Sequence, residues 1–159
     1  MGWITIIIIA IVLFAVAFSV SKQKQEQLVD AGKIIPRDYG FEEYAEMFTL
    51  RDLSFSEIWN ELKDIDYSGT VTGNVDAQNE RVFYKGINWE ACLYHQRNDA
   101  EKNVYCFEFT KWSKHNGVTE NQLDMNIVLT AVEKAFLKLD SGTQVSKRKN
   151  ITKSKLKFF

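Results

Sequence analysis

Residues 3–20, WITIIIIAIVLFAVAFSV, form an uncharged and almost wholly apolar run, and no other feature constrains the chain as strongly. As an α-helix these eighteen residues rise about 27 Å, close to the ~30 Å hydrocarbon core of a bilayer. Thr5 and Ser19 are the polar exceptions, and in a helix each hydroxyl can bond a preceding carbonyl. Trp3 stands where an interfacial aromatic anchor belongs, and Ile4, Ile8, Val12, Phe14 and Phe18 supply lipid-facing bulk. The run predicts a single transmembrane anchor over residues 1–21, of the uncleaved signal-anchor type.

A removable signal peptide is the competing reading. It needs a basic segment before a shorter apolar core, and a small-residue cleavage site after it. No Lys or Arg precedes this run, and Ala17-Phe18-Ser19 is a poor cleavage site. Lys22, Lys24 and Lys33 follow the run, whereas its N-terminal flank carries no basic side chain. Positive charge is retained on the cytoplasmic side, so the N-terminus is expected outside and the following domain in the cytosol, at the cell membrane.

Charge is distributed unevenly. From residue 143 onward there are six basic residues (Lys147, Arg148, Lys149, Lys153, Lys155 and Lys157) and no acidic ones. The first 142 residues hold 14 basic against 21 acidic side chains, a balance of −7 hidden by the near-neutral total of −1. A basic tail closing on Leu156-Lys157-Phe158-Phe159 suits an anionic leaflet, at roughly 1 kcal/mol per basic group near the surface. Its competitor is a solvated, unstructured tail over 143–159. An acidic body argues against nucleic acid as partner.

Between anchor and tail, residues 22–40 read as a juxtamembrane stalk and linker, with Gly32 a helix stop and Pro36 a bar to continuation. Residues 41–142 read as one α+β domain. Phe41, Tyr44, Ala45 and Phe48 fall at helical spacing and predict a short amphipathic helix over 41–50, its aromatics directed to the core rather than to the bilayer. Ser54 and Glu57 form a capping box, flanked by the staple pair Leu53 and Ile58, which predicts a helix over 55–65.

Four strand-like segments follow, at 70–75, 81–85, 87–96 and 104–113. With Lys85-Gly86 as a two-residue turn, Val82 and Tyr84 lie opposite Trp89 and Ile87. A turn at 99–101 sets Ala91 against Phe109 and Leu93 against Phe107, so three strands agree on one core face. The prediction is an antiparallel meander of three to four strands. A second capping box, Thr119 with Gln122, opens a long helix through Leu139, whose stripe of Leu123, Ile127, Val128, Ala131, Val132, Ala135, Phe136 and Leu139 covers that sheet.

The chemistry-bearing residues form no recognisable catalytic constellation. Cys92, Cys106, His95 and His115 are the only thiols and imidazoles, without the close pairs a metal site uses, and no metal or cofactor is expected. Strand alternation separates Cys92 from His95, and the register leaves Cys92 and Cys106 two residues apart, against a disulfide. On the face away from the long helix, Glu90, Cys92, Tyr94, Cys106, Glu108, Thr110 and Trp112 make a mixed polar band. Glu90 and Glu108 would be diagonal neighbours there, the one candidate acid–base pair. Lys111 and Lys114 flank Trp112 at its edge.

The leading expectation is a membrane-anchored protein presenting a small cytosolic binding or scaffold domain to a protein partner. The alternatives are a tethered enzyme using the sheet-face carboxylates and an exported ligand-binding module.

Overall fold

The computed structural model describes residues 2–96 and 103–150, and divides the chain into a unit of residues 1–36 and a unit of residues 37–159. The side chains of Ile4, Phe18 and Ser21 lie outside the described set.

The first unit is one helix, α1 (Gly2–Asp30). Its stretch from Thr5 to Asp30 is long and apolar enough to cross a membrane. Trp3, Ile8, Val12 and Phe14 are exposed, as are the other described apolar residues up to Val20, on every side of the helix. A helix that is apolar all round and uncovered by protein has no amphipathic face to dock on a core. The helix continues through the predicted stalk and ends where Gly32, at φ 64°, turns left-handed and the Lys33 amide bonds back to the Leu28 carbonyl at 2.7 Å.

The second unit is α+β. It comprises a single 3-10 turn (Phe41–Glu43), β1 (Tyr44–Leu50), α2 (Phe55–Lys63), β2 (Asp76–Gln78), β3 (Arg81–Gly86), β4 (Trp89–Gln96), β5 (Asn103–Trp112), β6 (Lys114–His115), β7 (Val118–Thr119), α3 (Gln122–Leu139) and β8 (Gln144–Lys149). Six strands form one antiparallel sheet in the order β2-β3-β4-β5-β1-β8, and β6 and β7 make a small separate hairpin. The sheet is therefore wider than the expected three or four strands.

Two strands account for the difference. Residues 41–50 form the 3-10 turn and β1, not a helix. Phe41, Tyr44, Ala45 and Phe48 satisfy helical spacing, but β1 lies between β5 and β8 and buries side chains on both faces. A strand covered on both sides loses clean alternation and mimics a helix. Phe41 and Phe48 do join the core, whereas Tyr44 stays exposed. The order also does not stop at Gly142. Thr143 is buried, and residues 144–149 pair with β1 as β8, from Gln144 opposite Thr49 to Lys149 opposite Tyr44. Residues 151–159 lie outside the described residues.

The β4–β5 register is as read from sequence, with Ala91 opposite Phe109, Leu93 opposite Phe107, Cys92 opposite Glu108 and Tyr94 opposite Cys106. The β3–β4 turn is displaced. It uses Ile87-Asn88, with Asn88 at φ 65°, so that Val82 faces Leu93 and Tyr84 faces Ala91. Ile87 consequently leaves the core. Gly86 is required at its position because the Trp89 indole lies across it, and a Cβ there would sit 2.0 Å from Trp89 Cε2. Residues 70–75 are loop rather than strand, with Gly73 left-handed.

Both long helices cover one sheet face. α2 begins at the predicted capping box, with Ser54 and Glu57 exchanging side-chain and backbone bonds. The second predicted box does not form. Asn121 takes the α3 N-cap position at φ 56° with no side-chain cap bond, and Thr119 and Gln122 turn to Glu42 instead. The α3 stripe is rotated toward Met125 and Leu129, which are buried with Val128, Val132, Ala135 and Phe136, while Leu123, Ile127, Ala131 and Leu139 are half-buried. Phe136 stacks on Phe48 at 4.5 Å, and Trp89, Phe109 and Phe107 continue the core edge to face.

Candidate functional site

The sheet face turned away from α2 and α3 carries the predicted polar band, with one change of membership. Between Glu90 and Ala91 the β4–β5 pairing jumps from Lys111 to Phe109, so an extra residue, Thr110, interrupts β5. Beyond such an irregularity the alternation of side chains reverses. Trp112 therefore pairs with Trp89 and packs on the core side, and Lys111 takes its place beside Glu90. The Lys111 Nζ donates to Glu90 Oε1 at 3.1 Å, and Thr110 Oγ1 donates to the Glu90 carbonyl.

This pairing bears on the two carboxylates. Glu90 is neutralised by Lys111 near the end of β4, whereas Glu108 sits further in, opposite Cys92. Burial raises the Glu108 carboxyl above its ordinary range, against the opposing pull of Arg148 and Arg81. Arg81 is not among the residues the sequence singles out, and Arg148 reads there as part of the basic tail. Arg148 is on β8 opposite Ala45, and Arg81 is on β3 opposite Tyr94, with its guanidinium 5.6 Å from the Tyr94 ring centre. The sequence signal for either as a member of this face is the parity of its strand, and β8 becomes a strand only by pairing with β1. A shallow cavity of about 320 Å³, lined by Asn79, Glu80, Arg81, Tyr94 and His95, opens at this edge.

Cys92 and Cys106 lie on the same face, both as free thiols and both buried. Burial pushes the Cys92 thiol up to about 11 and raises Cys106 as well, so neither has the thiolate character of a nucleophile. His95 points to the opposite side, where its ring meets Tyr105 at 4.9 Å. Among the described residues no group of three or more His, Cys, Asp and Glu side chains is placed to hold a metal ion.

The basic run of the tail is also divided by strand geometry. On β8, Lys147 and Lys149 fall opposite Glu46 and Tyr44 on the helix-covered face, and Arg148 falls on the open one. Lys153, Lys155 and Lys157 lie outside the described residues.

A second polar cluster lies beneath α3. Arg37, whose side chain is 3 % exposed, donates from Nε and Nη2 to the two carboxylate oxygens of Glu46, at 3.0 and 3.2 Å. Its Nη1 reaches Asn126 Oδ1 and Thr130 Oγ1 at 2.6 and 2.8 Å, and Nη2 also bonds Glu133. Asn126, Thr130 and Glu133 recur at i, i+4 and i+7, a polar line on one face of α3. Burial, followed by the charge of Glu46, raises the Glu133 carboxyl, and Arg37 opposes both. The arrangement satisfies a buried guanidinium and fixes the start of this unit to β1 and α3. Arg37 falls in the segment that reads as linker, because its partners are remote in sequence.

A third feature is a groove of about 510 Å³ beside the end of α2, bordered by Trp59, Lys63, Tyr67, Val71 and Val75. The chain matches no protein-family model, and neither a curated protein nor a solved structure is significantly similar to it.

Proposed function

We propose that the chain is a single-pass membrane protein whose N-terminal helix holds a small α+β binding or scaffold domain at the cytosolic face of the cell membrane. The observation that carries this reading is the apolar stretch of α1, whose described side chains from Trp3 to Val20 are exposed on every side. Such a surface is stable in lipid and costly in water. Lys22, Lys24 and Lys33 after the apolar run support the inward orientation of the domain.

A second contact with the membrane is part of the proposal. The basic residues Lys153, Lys155 and Lys157 follow Asn150, which is held beside Glu43, close to where the domain chain begins. The two connections of the domain, to the apolar helix and to the basic segment, thus leave from neighbouring points. That placement favours anionic lipid as the partner of the basic segment. The open sheet face, with Arg81, Tyr94, Glu108 and Arg148, is the surface offered to a protein partner.

The test is extraction of the membrane fraction. Recovery of the full chain after carbonate and high-salt washing supports the anchored reading, and release by either wash contradicts it. Purification in mild detergent that recovers the chain with no associated protein counts against the binding role.

A further inference from the structure

The large apolar side chains left exposed on turns of the domain gather near one end of its sheet. Ile87 is 60 % exposed, Val118 56 % and Tyr39 67 %. All three lie outside the main sheet, and a network of bonds joins their segments. Asn121 Nδ2 donates to the Ile87 carbonyl at 2.7 Å, and Asn88 Nδ2 donates to Glu120 at 3.0 Å. Tyr39 Oη donates to the Gly117 carbonyl at 2.9 Å, next to Val118. The fold itself gives Ile87 no reason to be there. A two-residue hairpin turn favours Asn, Asp and Gly, and an exposed Ile in it stabilises nothing.

This end also holds both chain connections. Six residues, 31–36, separate the end of α1 from Arg37, and extended they reach about 20 Å. Asn150 is tied here by its backbone bond to Glu43 at 2.8 Å and by Nδ2 to the Phe109 carbonyl at 3.1 Å. Lys149 is adjacent, and the basic residues of 151–157 follow directly. Exposed apolar side chains at the end of the sheet that also carries the exposed Lys149 match the layered chemistry of an anionic bilayer surface, with hydrocarbon below and phosphate above.

We infer that this end of the domain is an interfacial docking surface for anionic lipid, with Ile87 and Val118 entering the headgroup layer and Tyr39 lying at its level. The inference rests on the membrane reading above and deepens it by assigning lipid-contacting residues within the folded domain.

Full-length protein is reconstituted in vesicles of phosphatidylcholine and phosphatidylglycerol, with an environment-sensitive fluorophore on one of the single variants Ile87→Cys, Val118→Cys, Ser141→Cys or Phe14→Cys. Ser141 follows α3 at the opposite end of the sheet, and Phe14 reports the apolar helix. The expected result is a blue shift, and loss of emission with lipid-borne shallow quenchers, at positions 87 and 118 but not at 141. Quenching at 14 alone overturns the docking surface and leaves the membrane anchor standing. Absence of quenching at 14 overturns the anchor and the docking surface with it. Shielding of 87 and 118 without lipid quenching assigns the surface to a protein contact and overturns the inference. Equal quenching at 141 does so too, because the domain then has no preferred end. Circular-dichroism melting of each labelled variant against the parent checks the fold; should an Ile87 or Val118 variant melt early, accessibility of the native Tyr39 ring to a water-soluble quencher, with and without vesicles, decides the same question.

Discussion

The backbone amide of Asn150 donates to the carbonyl of Glu43 at 2.8 Å, joining the residue after the last strand to the residue before the first. β8 and β1 are the outer pair of the sheet, and this bond closes their ladder at one end. The domain is consequently built from both ends of its own chain at once.

Truncation separates the two halves of the basic segment. Removing residues 151–159 is expected to leave the melting temperature of the domain nearly unchanged. Removing residues 144–159 also strips β8 from β1, losing six cross-strand pairs at ~0.2–1 kcal/mol each and exposing a strand edge. Chemical denaturation of the two truncations, with aggregation followed by light scattering, checks the difference.

Arg37→Ala is expected to destabilise the domain by about 3–5 kcal/mol, because it leaves the buried Glu46 and the half-buried Glu133 without the guanidinium that binds both. Adding Glu133→Gln to that variant should recover part of the loss, a coupling that a double-mutant cycle in urea measures.

Glu133 also fixes a sign for pH dependence. Its folded carboxyl titrates above the ordinary 4.5, raised by burial and Glu46. Between 4.5 and that raised value the folded state holds more protons than the unfolded state, so this group's contribution to stability falls as pH rises through the window. Glu133→Gln should be gained relative to the parent on the high-pH side and show no difference slope below it. Paired urea titrations across the acid range give the difference curve.

Gly86→Ala places a methyl group inside the indole of Trp89. Overpacking of this kind costs about 1–3 kcal/mol, and here Trp89 must leave its core position to relieve it. Tryptophan fluorescence should red-shift as the melting temperature falls.

The two thiols are buried and raised by that burial, so native protein at mildly alkaline pH should react with an aromatic disulfide reagent far more slowly than unfolded protein. Fast native labelling of Cys92 or Cys106 contradicts their placement.

The parts of this architecture legible in sequence were those specified locally or by strict alternation. Ser54 and Glu57 are three residues apart and set the start of α2 without outside help. Val82, Tyr84, Ala91, Leu93, Phe107 and Phe109 recur at every second position because that side of their strands meets the helices, even though Cys92 and Cys106 on the other side are buried too. Legibility failed where long-range pairing decides. β1 is buried on both faces, so its pattern imitates a helix, and β8 is a polar edge strand whose only instruction is β1 itself. The extra residue at Thr110 moved Trp112 off the open face, and nothing in the sequence marks it. Thr119 and Gln122 have the spacing of a cap, yet the buried carboxylate of Glu42 competes for both side chains and takes them. The candidate face was therefore visible through Cys92, Tyr94, Cys106 and Glu108, but not its two arginines.

Membrane topology decides whether an uncleaved apolar helix holds the domain at the cytosolic face. A reporter active on one side of the membrane only is fused after Phe159, and the mass of the N-terminus is measured on the same material. A cytosolic reporter and an intact apolar segment are the expected result. An exported reporter contradicts the orientation, and cleavage near Ser19 contradicts the anchor itself.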